Sequence, residues 1–306
     1  MTNQKQSQPI AHTHINNQDL PLASIGVPVY NEERFIRESL QSLSLLDYTN
    51  LEIIISDNAS TDRTGEICRE FASKDARISY FRFEQNRGVT ENFRRVFDLS
   101  HGKYFMWASG HDLWMPNIVS KCVEMLEEMP AAVIAYGSSN WMNAAGSTLD
   151  RETGWVDTRD MSAVARFFSV FWGNMHPILG VIRSEALRKA RLLSIAGTDL
   201  ITLSDLALMG DFVHNRDTSW ARREFRKDET FKQRMSRYRN REYALSRSLI
   251  DKMFPIFRLP IELIAVVIRS HIPWSEKIGI IGILLPSMPV KYFVARRMAN
   301  RGQGQS

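Results

Sequence analysis

Gly110, His111 and Asp112 stand inside an apolar and aromatic run that extends from residue 104 to residue 114. The imidazole of His111 and the carboxylate of Asp112 are both ligands that divalent cations accept, so the pair forms a candidate metal site. A second interpretation is a buried strand followed by a turn, with Asp112 as the cap of the next helix. Both interpretations remain open on these residues alone, and the preceding segments decide between them.

Polar residues also end two earlier apolar runs. Residues 30–32 follow the run 23–29, and Asp57 and Asn58 follow the run 51–56. Ligands of open α/β sheets bind at the carboxyl ends of the strands. We therefore expect these clusters and the Gly-His-Asp tripeptide to meet at one edge of a sheet.

The elements that would position these clusters alternate regularly. Apolar runs at 23–29, 51–56, 78–83 and 104–108 are each followed by a segment with apolar residues at helical spacing. Strand and helix in this order predict βαβ units and a parallel sheet. The first turn lacks G-x-G-x-x-G, and the chain contains no G-x-x-x-x-G-K-[ST], which argues against dinucleotide-binding and P-loop sites.

Four segments, in this order, resemble successive motifs of the family 2 glycosyltransferases. They are 27–32 (VPVYNE), 54–62 (IISDNASTD), 86–88 (NRG) and 107–114 (WASGHDLW). The resemblance covers residues 20–215 and implies an α/β protein of the GT-A fold, with a mostly parallel sheet flanked by helices and a nucleotide-sugar donor. With it we predict a disordered leader over 1–20, a catalytic domain over 21–220 and a basic, amphipathic helical extension over 221–306.

Part of the donor site follows from the same resemblance. Pro28 and Tyr30 would line the pocket of the nucleobase, and Glu32 would reach the ribose or hold its loop. Asp57 and Asn58 would meet the edge of the base, because their side chains can accept from an imide N–H and Asn58 can also donate. For Asp57, a carboxylate that only stabilises the turn is the alternative.

The rest of the donor site would lie around the diphosphate. Arg87 would reach the diphosphate, or is a solvated loop arginine. Residues 110–112 occupy the position of the family's D-x-D motif, in which the first acid is here a glycine. Gly110 and His111 would then face the donor, and Asp112 and His111 would hold manganese or magnesium. Because one carboxylate is missing, the diphosphate itself would supply most of the ligands.

The catalytic base is expected at Asp199. The resembling enzymes carry an E-D pair at this turn, and here Thr198 replaces the first acid while Asp199 stands in the position of the base. A place at a helix N-terminus would keep the Asp199 carboxylate ionised. A helix-capping role is the alternative for Asp199, and Asp205 on the same helix is the second choice. His176 is expected to be structural or to contact the acceptor.

The basic charge of the chain is concentrated in its last third. Residues 1–215 have a net charge of −6, and residues 216–306 have a net charge of +11. The acidic part does not suit a nucleic-acid partner. A helix is predicted over 231–253, and the apolar stretches that follow are too short and too often charged to span a bilayer. With basic flanks they suit the membrane interface; packing on the catalytic domain or an oligomer contact is the alternative.

The resemblance to the family 2 glycosyltransferases implies a sugar transfer that inverts the anomeric centre. Asp199 would deprotonate the hydroxyl of a saccharide or lipid-linked acceptor, in cell-surface polysaccharide or glycolipid synthesis, at the cytoplasmic face of the membrane. Cys68 and Cys122 lack metal-ligand spacing and are expected to be buried thiols in a reducing compartment. Because Gly110 and Thr198 replace two expected acids, a non-catalytic GT-A module that binds a nucleotide sugar or a membrane partner is the second hypothesis. A structural scaffold at the membrane surface is the third.

Overall fold

The computed structural model describes residues 20–151, 153–154, 157–195, 197–224 and 255–301. The predicted leader, except Leu20, and the helix predicted over 231–253 lie outside these residues. The predicted α/β class with C-terminal helices is confirmed.

One mixed sheet forms the centre of the described chain. Its strands are β1 (Ala23–Val29), β2 (Leu51–Asp57), β3 (Ile78–Arg82), β4 (Tyr104–Trp107), β5 (Leu113–Trp114), β6 (Ala132–Asn143), β7 (Thr148–Leu149), β8 (Val181–Arg183) and β9 (Asp211–Glu224). The order is β3-β2-β1-β4-β8-β6-β9-β5, with β7 paired to β6. The first four strands are parallel, whereas β8 is antiparallel to both of its neighbours. The carboxyl ends of β1, β2 and β4 therefore lie at the same edge.

Helices cover both faces of this sheet. They are α1 (Ile36–Ser44), α2 (Thr64–Lys74), α3 (Val89–Asp98), α4 (Ile118–Glu128), α5 (Ala163–Trp172), α6 (Ser184–Lys189), α7 (Thr198–Ala207), α8 (Pro255–Arg269) and α9 (Trp274–Arg301), with a 3-10 turn at His176–Leu179. Successive residues of a strand point to opposite faces. Ile53 and Ile55 accordingly pack with α1, α2 and α4, while Ile54 packs with α3, α6 and α7. Burial on both faces explains the unbroken apolar run at residues 53–55 of β2.

Two strands depart from the sequence-based prediction. The turn-forming residues 143–146 (NAAG) favour a surface loop over 141–157 on the sequence alone, whereas strand β6 continues to Asn143 and pairs with β7. Strand β9 was not predicted, and it crosses the proposed domain boundary after residue 220. Its second half pairs with β6 and β5, which brings residues of the basic segment beside the Gly-His-Asp tripeptide.

The C-terminal helices pack on the catalytic domain through one apolar face. Leu263 and Val267 of α8 and Ile280 of α9 are fully buried against α5 and α7. An ion pair between Arg191 and Glu262 joins α8 to the loop before α7. Packing on the domain, the stated alternative to a membrane contact, therefore accounts for this face. In the part of the chain that the structure describes, no helix combines the length and the apolarity needed to cross a bilayer.

Candidate active site

The loops that follow β1 and β2 are joined by hydrogen bonds at the expected edge. The Asn31 N–H donates to Ser60 Oγ at 3.0 Å, and the Thr61 N–H donates to Asn31 Oδ1 at 2.8 Å. The Glu32 N–H donates to Thr64 Oγ1 at 2.7 Å at the start of α2. Asn31 has a φ of 53°, a left-handed conformation that asparagine tolerates better than most residues. The two loops therefore form one preorganised unit.

Asp57 is fully buried within this unit. Its Oδ1 accepts from the Ser60 N–H at 2.7 Å, and its Oδ2 accepts from the Tyr80 hydroxyl at 2.7 Å and from Arg82 at 2.6 Å. Both oxygens are thus engaged inside the protein. This geometry agrees with the alternative of a turn-stabilising carboxylate, and a contact with a nucleobase would need one of these bonds to be exchanged.

Asn58 is also buried and fixes the loop before α3. Its Oδ1 accepts from the Arg87 N–H at 2.8 Å, and its Nδ2 donates to Asn86 Oδ1 at 2.9 Å. Arg87 is exposed, and its guanidinium forms no hydrogen bond or ion pair with the described residues. Pro28 and Tyr30, at the end of β1, are partly exposed beside these two loops. The edge therefore offers the accessible rings of Pro28 and Tyr30 beside the buried, hydrogen-bonded side chains of Asp57 and Asn58.

Glu32 reaches from the first loop to the Gly-His-Asp tripeptide. Its Oε1 lies 3.2 Å from His111 Nδ1, and the other nitrogen of that ring, Nε2, lies 4.0 Å from Asp112 Oδ1. A Cβ atom at Gly110 would lie 3.1 Å from Val29 Cγ1 and close to the Glu32 side chain. A side chain at position 110 would thus point toward packed residues, which differs from the expectation that this position faces the donor. The absence of a side chain leaves room for Glu32 to reach His111.

Arg223 of β9 holds the tripeptide from the other side. Its N–H donates to Asp112 Oδ1 at 2.9 Å, and its guanidinium donates to the His111 carbonyl oxygen at 3.0 Å. The same guanidinium donates to Glu38 Oε2 at 2.5 Å and lies 4.6 Å from the Phe35 ring centroid. Asp112 and Arg223 are both buried. The Asp112 carboxylate is therefore fixed by a residue that lies more than a hundred positions later in the sequence.

A divalent cation at this edge would have two protein ligands, Asp112 and His111 Nε2. When the ring is neutral, the Glu32 contact places the proton on Nδ1 and the lone pair on Nε2, which is the usual support of a metal-bound imidazole. Within the described residues, no group of three or more His, Cys, Asp or Glu side chains converges on a point that could hold an ion. The side chains fit an ion whose remaining ligands come from a bound diphosphate.

Asp199 lies in the first turn of α7, after Gly197, whose φ of 83° is in the left-handed region. Asp199 keeps solvent-accessible surface, yet enough protein surrounds its carboxylate that burial raises its pKa, and Arg222 opposes this shift. From the sequence, only the helix N-terminus was expected to act on this carboxylate, and it favours the ionised form. A carboxylate with a raised pKa is a stronger base once ionised, as a general base requires.

Asp205, the second choice for the base, is placed differently. It is buried, and its Oδ2 accepts from the Arg191 N–H at 3.1 Å. Burial raises its pKa, and the charges that oppose the shift come from Arg191 and from Arg269 of α8. Asp205 therefore belongs to the contact between α7 and the C-terminal helices, away from the charge of Arg222.

His176 lies in an aromatic environment beside β6 and β9. Its Nδ1 is 2.7 Å from Ser139 Oγ, and its ring is 5.8 Å from Trp141 and 6.0 Å from Trp220. Burial, with smaller contributions from Arg222 and Arg151, lowers the pKa of His176 to about 4. The ring is therefore neutral at physiological pH, which agrees with the structural or acceptor-contact role.

Several residues of this region were missed by the sequence argument. Trp141 lies in a segment predicted as a loop, and Arg222 and Arg223 lie in a segment interpreted only as a basic tail. A sequence signal was present in Ser219-Trp220-Ala221, where a large aromatic residue stands between two small ones. In the structure Trp220 is buried and its two neighbours are partly exposed. The pattern is too short to separate a strand from a loop.

Comparisons with known proteins give a family match for this chain. A family model described as Glycosyl transferase family 2 matches residues 24–171. Glycosyltransferase GlyG of Streptococcus pneumoniae is 27% identical over 126 residues, which cover 41% of this chain and 42% of GlyG. The uncharacterized glycosyltransferase EpsJ of Bacillus subtilis is 30% identical over 118 residues, which cover 39% of this chain and 34% of EpsJ. The matches thus span less than half of these relatives.

Two solved structures share the fold. The S. aureus TarS 1–349 complex with UDP-GlcNAc aligns with a TM-score of 0.62 at 15% identity, over 86% of this chain and 71% of that one. The mannosyltransferase PcManGT from Pyrobaculum calidifontis, in complex with GDP-Man and Mn²⁺, aligns with a TM-score of 0.52 at 17% identity, over 92% and 77% of the two chains. At these identities the likeness concerns the fold.

Proposed function

Since the chain belongs to family 2 of the glycosyl transferases, we propose that it transfers a sugar from a nucleotide-sugar donor to an acceptor hydroxyl. The family match confirms the family that the motifs predicted, and the fold matches confirm the GT-A fold. The observation that carries the proposal is the meeting of the ends of β1, β2 and β4 at one edge, where His111 contacts Glu32 and lies 4.0 Å from Asp112.

The donor would bind across this edge. Pro28 and Tyr30 would pack on the nucleobase, beside the buried side chains of Asp57 and Asn58. Arg87 would reach the diphosphate. This assignment is supported by the partial exposure of Pro28 and Tyr30. It is also supported by the Arg87 guanidinium, which forms no hydrogen bond or ion pair with the described residues. UDP-GlcNAc and GDP-Man are bound by two proteins of this fold, and a nucleoside diphosphate sugar is the corresponding donor here.

Transfer would proceed with inversion at the anomeric carbon. Asp199 would take the proton of the acceptor hydroxyl as that oxygen attacks opposite the departing diphosphate. Asp112 and His111 would orient the diphosphate, and a divalent cation that they share with it would supply positive charge to the leaving group. The raised pKa of Asp199 supports this role, because the carboxylate gains basicity and remains accessible.

A thermal-shift screen of nucleotide sugars, with and without manganese, tests donor binding. A ligand that binds the folded state raises the melting temperature. We expect one nucleotide class to raise it, with a larger shift when manganese is present. If no nucleoside diphosphate sugar shifts the melting temperature under either condition, the proposed donor site is wrong.

A catalytically impaired module that only binds a nucleotide sugar or a membrane partner is the second candidate. It is favoured by the replacement of two expected acids, one by Gly110 and one by Thr198. The Thr198 side chain is not an acid, and its hydroxyl accepts from the Leu193 N–H at 3.2 Å. Donor binding without hydrolysis or transfer to any of a panel of saccharide and lipid-linked acceptors would support this module. Release of the nucleoside diphosphate would support the enzyme.

We also propose that the C-terminal helices rest on an anionic membrane surface. Outside the face that packs on the domain, they expose large apolar side chains: Ile261, Ile268, Trp274, Ile278, Ile283, Leu285 and Val290. Exposed apolar side chains combined with the net charge of +11 in residues 216–306 suit the interface of anionic lipids. Such a location, at the cytoplasmic face, would place the site beside a lipid-linked acceptor in cell-surface polysaccharide or glycolipid synthesis.

A further inference from the structure

Trp141 of β6 and Arg222 of β9 are neighbours in the sheet and share one of its faces. The two residues are directly paired in the register of the parallel strands. The Arg222 guanidinium carbon lies 4.9 Å from the Trp141 ring centroid, and that of Arg151 lies 4.0 Å from the same ring. Trp141 donates from Nε1 to Thr153 Oγ1 at 2.7 Å, which fixes the ring. Two guanidinium groups are thus held on one anchored indole.

The positive charge of this pair is only partly balanced. Arg151 donates to Glu224 at 3.1 Å, whereas no carboxylate of the described residues lies within ion-pair distance of Arg222. Arg222 is nevertheless partly buried. The Trp141 ring that Arg222 contacts lies 5.8 Å from the His176 ring, which places Arg222 beside the aromatic residues around His176. The positive charge of Arg222 also lowers the pKa of His176 and opposes the rise in the pKa of Asp199.

Strand geometry separates the charge of Arg222 from the Gly-His-Asp tripeptide. Successive side chains of a strand point to opposite faces, and Arg223 is directed to the Gly-His-Asp tripeptide. Arg222 is therefore directed to the opposite face, where it contacts Trp141 beside His176. A diphosphate beside Asp112 would meet the Arg223 side of the strand, whereas an acceptor beside Asp199 would meet the Arg222 side.

We infer that Arg222, with Arg151 and the Trp141 ring, binds a negatively charged group of the acceptor. This inference rests on the proposed function, since it assigns the substrate class of the same site. The acceptor would carry a phosphate or a carboxylate near the hydroxyl that Asp199 deprotonates. Guanidinium groups bind both kinds of anion through paired hydrogen bonds, and an indole beside them limits their motion. The contact would place the hydroxyl at the base and would exclude neutral sugars of the same size.

Binding of glycerol phosphate and of uncharged glycerol, followed by NMR titration, tests this inference. The titration is done in the presence of a saturating concentration of a nucleoside diphosphate, so that the donor site is filled. The nucleotide used is the one that gives the largest thermal shift. We expect glycerol phosphate to bind at least about tenfold more tightly than glycerol. Arg222→Gln should remove this preference, and Arg222→Lys should keep part of it. Arg188→Gln is the matched control, because Arg188 is an exposed arginine whose guanidinium contacts, among the described residues, only the Phe97 ring, and it should leave the preference unchanged.

Each contrary outcome has a separate meaning. If glycerol phosphate binds only without the nucleotide, the anion site belongs to the donor diphosphate and the inference is wrong. It is also wrong if the wild-type protein shows no preference, or if Arg222→Gln keeps it. A retained thermal shift with the nucleoside diphosphate in Arg222→Gln shows that the variant is folded and that donor binding stands. If no nucleotide shifts the wild-type protein, the proposed function fails, while the titration without nucleotide still tests the anion site.

Discussion

The backbone N–H of Arg223 donates to Asp112 Oδ1 at 2.9 Å, so that the last strand of the sheet holds the carboxylate proposed to face the donor diphosphate. The guanidinium of Arg223 extends this link to the His111 carbonyl oxygen and to Glu38 of α1. Strand β9 is thereby a direct support of the site.

Arg223→Met should destabilise the protein and weaken donor binding together. The substitution leaves the His111 and Ala144 carbonyl oxygens without their buried donor, at a cost of more than about 2 kcal/mol. Chemical denaturation and donor titration measure the two effects. Arg63→Met is the control, because Arg63 is exposed and its guanidinium pairs, among the described residues, only with Glu66 three positions later, and it should change stability by less than about 0.5 kcal/mol. Wild-type stability of Arg223→Met would mean that β9 does not support the motif.

Gly110→Ala should lower stability without any gain in donor affinity. The new Cβ would lie 3.1 Å from Val29 Cγ1 and 3.2 Å from Ile36 Cδ1, and such overpacking costs about 1–3 kcal/mol. Gly110→Asp should cost more, because its carboxylate would be directed at these apolar side chains. Gly279→Ala, at an open position of α9, should stabilise slightly. Tighter manganese-dependent donor binding by Gly110→Asp, at wild-type stability, would contradict this account and support a side chain that faces the donor.

Asp205→Asn should leave turnover intact and change stability in a pH-dependent way. Burial raises the folded-state pKa of Asp205, so folding favours its protonated form, and the ionised form penalises stability as pH rises through that pKa. The asparagine variant should therefore be as stable as wild type in acid and more stable at neutral pH. Melting curves across pH measure this difference. A variant that is less stable at neutral pH would show that the ionised carboxylate is needed in the fold.

The first half of the fold could be predicted from the sequence because its signals are local. Strand β2 has an unbroken apolar centre at residues 53–55, since both of its faces are covered, and polar residues mark its carboxyl end. Strand β9 could not be predicted in this way. Its Arg223 is buried only because Asp112 and Glu38 lie beside it, and these partners are distant in sequence. The same limit applies to Asp57, whose three donors come from later segments and from its own turn.

Substitution of the exposed apolar face should release the protein from anionic vesicles. Trp274 and Ile278 are 66% and 68% exposed, so Trp274→Ser with Ile278→Ser should weaken co-sedimentation without unfolding the domain. Binding of the wild type should also weaken with salt, because each basic residue near the surface contributes about 1 kcal/mol. Leu45→Ser, at an equally exposed leucine after α1, is the control and should bind as wild type does. If wild type fails to sediment with anionic vesicles at low salt, the helices do not serve as a membrane contact.

The assignment of the base can be tested by the turnover of Asp199→Asn beside its matched variant Asp205→Asn. The asparagine keeps the shape of Asp199 but cannot take a proton, so sugar transfer should fall by about 10²–10⁴ while the thermal shift with the donor persists. Asp205→Asn should turn over normally, because Asp205 lies with Arg191 and the C-terminal helices. Near-normal transfer by Asp199→Asn, or a comparable loss in Asp205→Asn, would contradict the account.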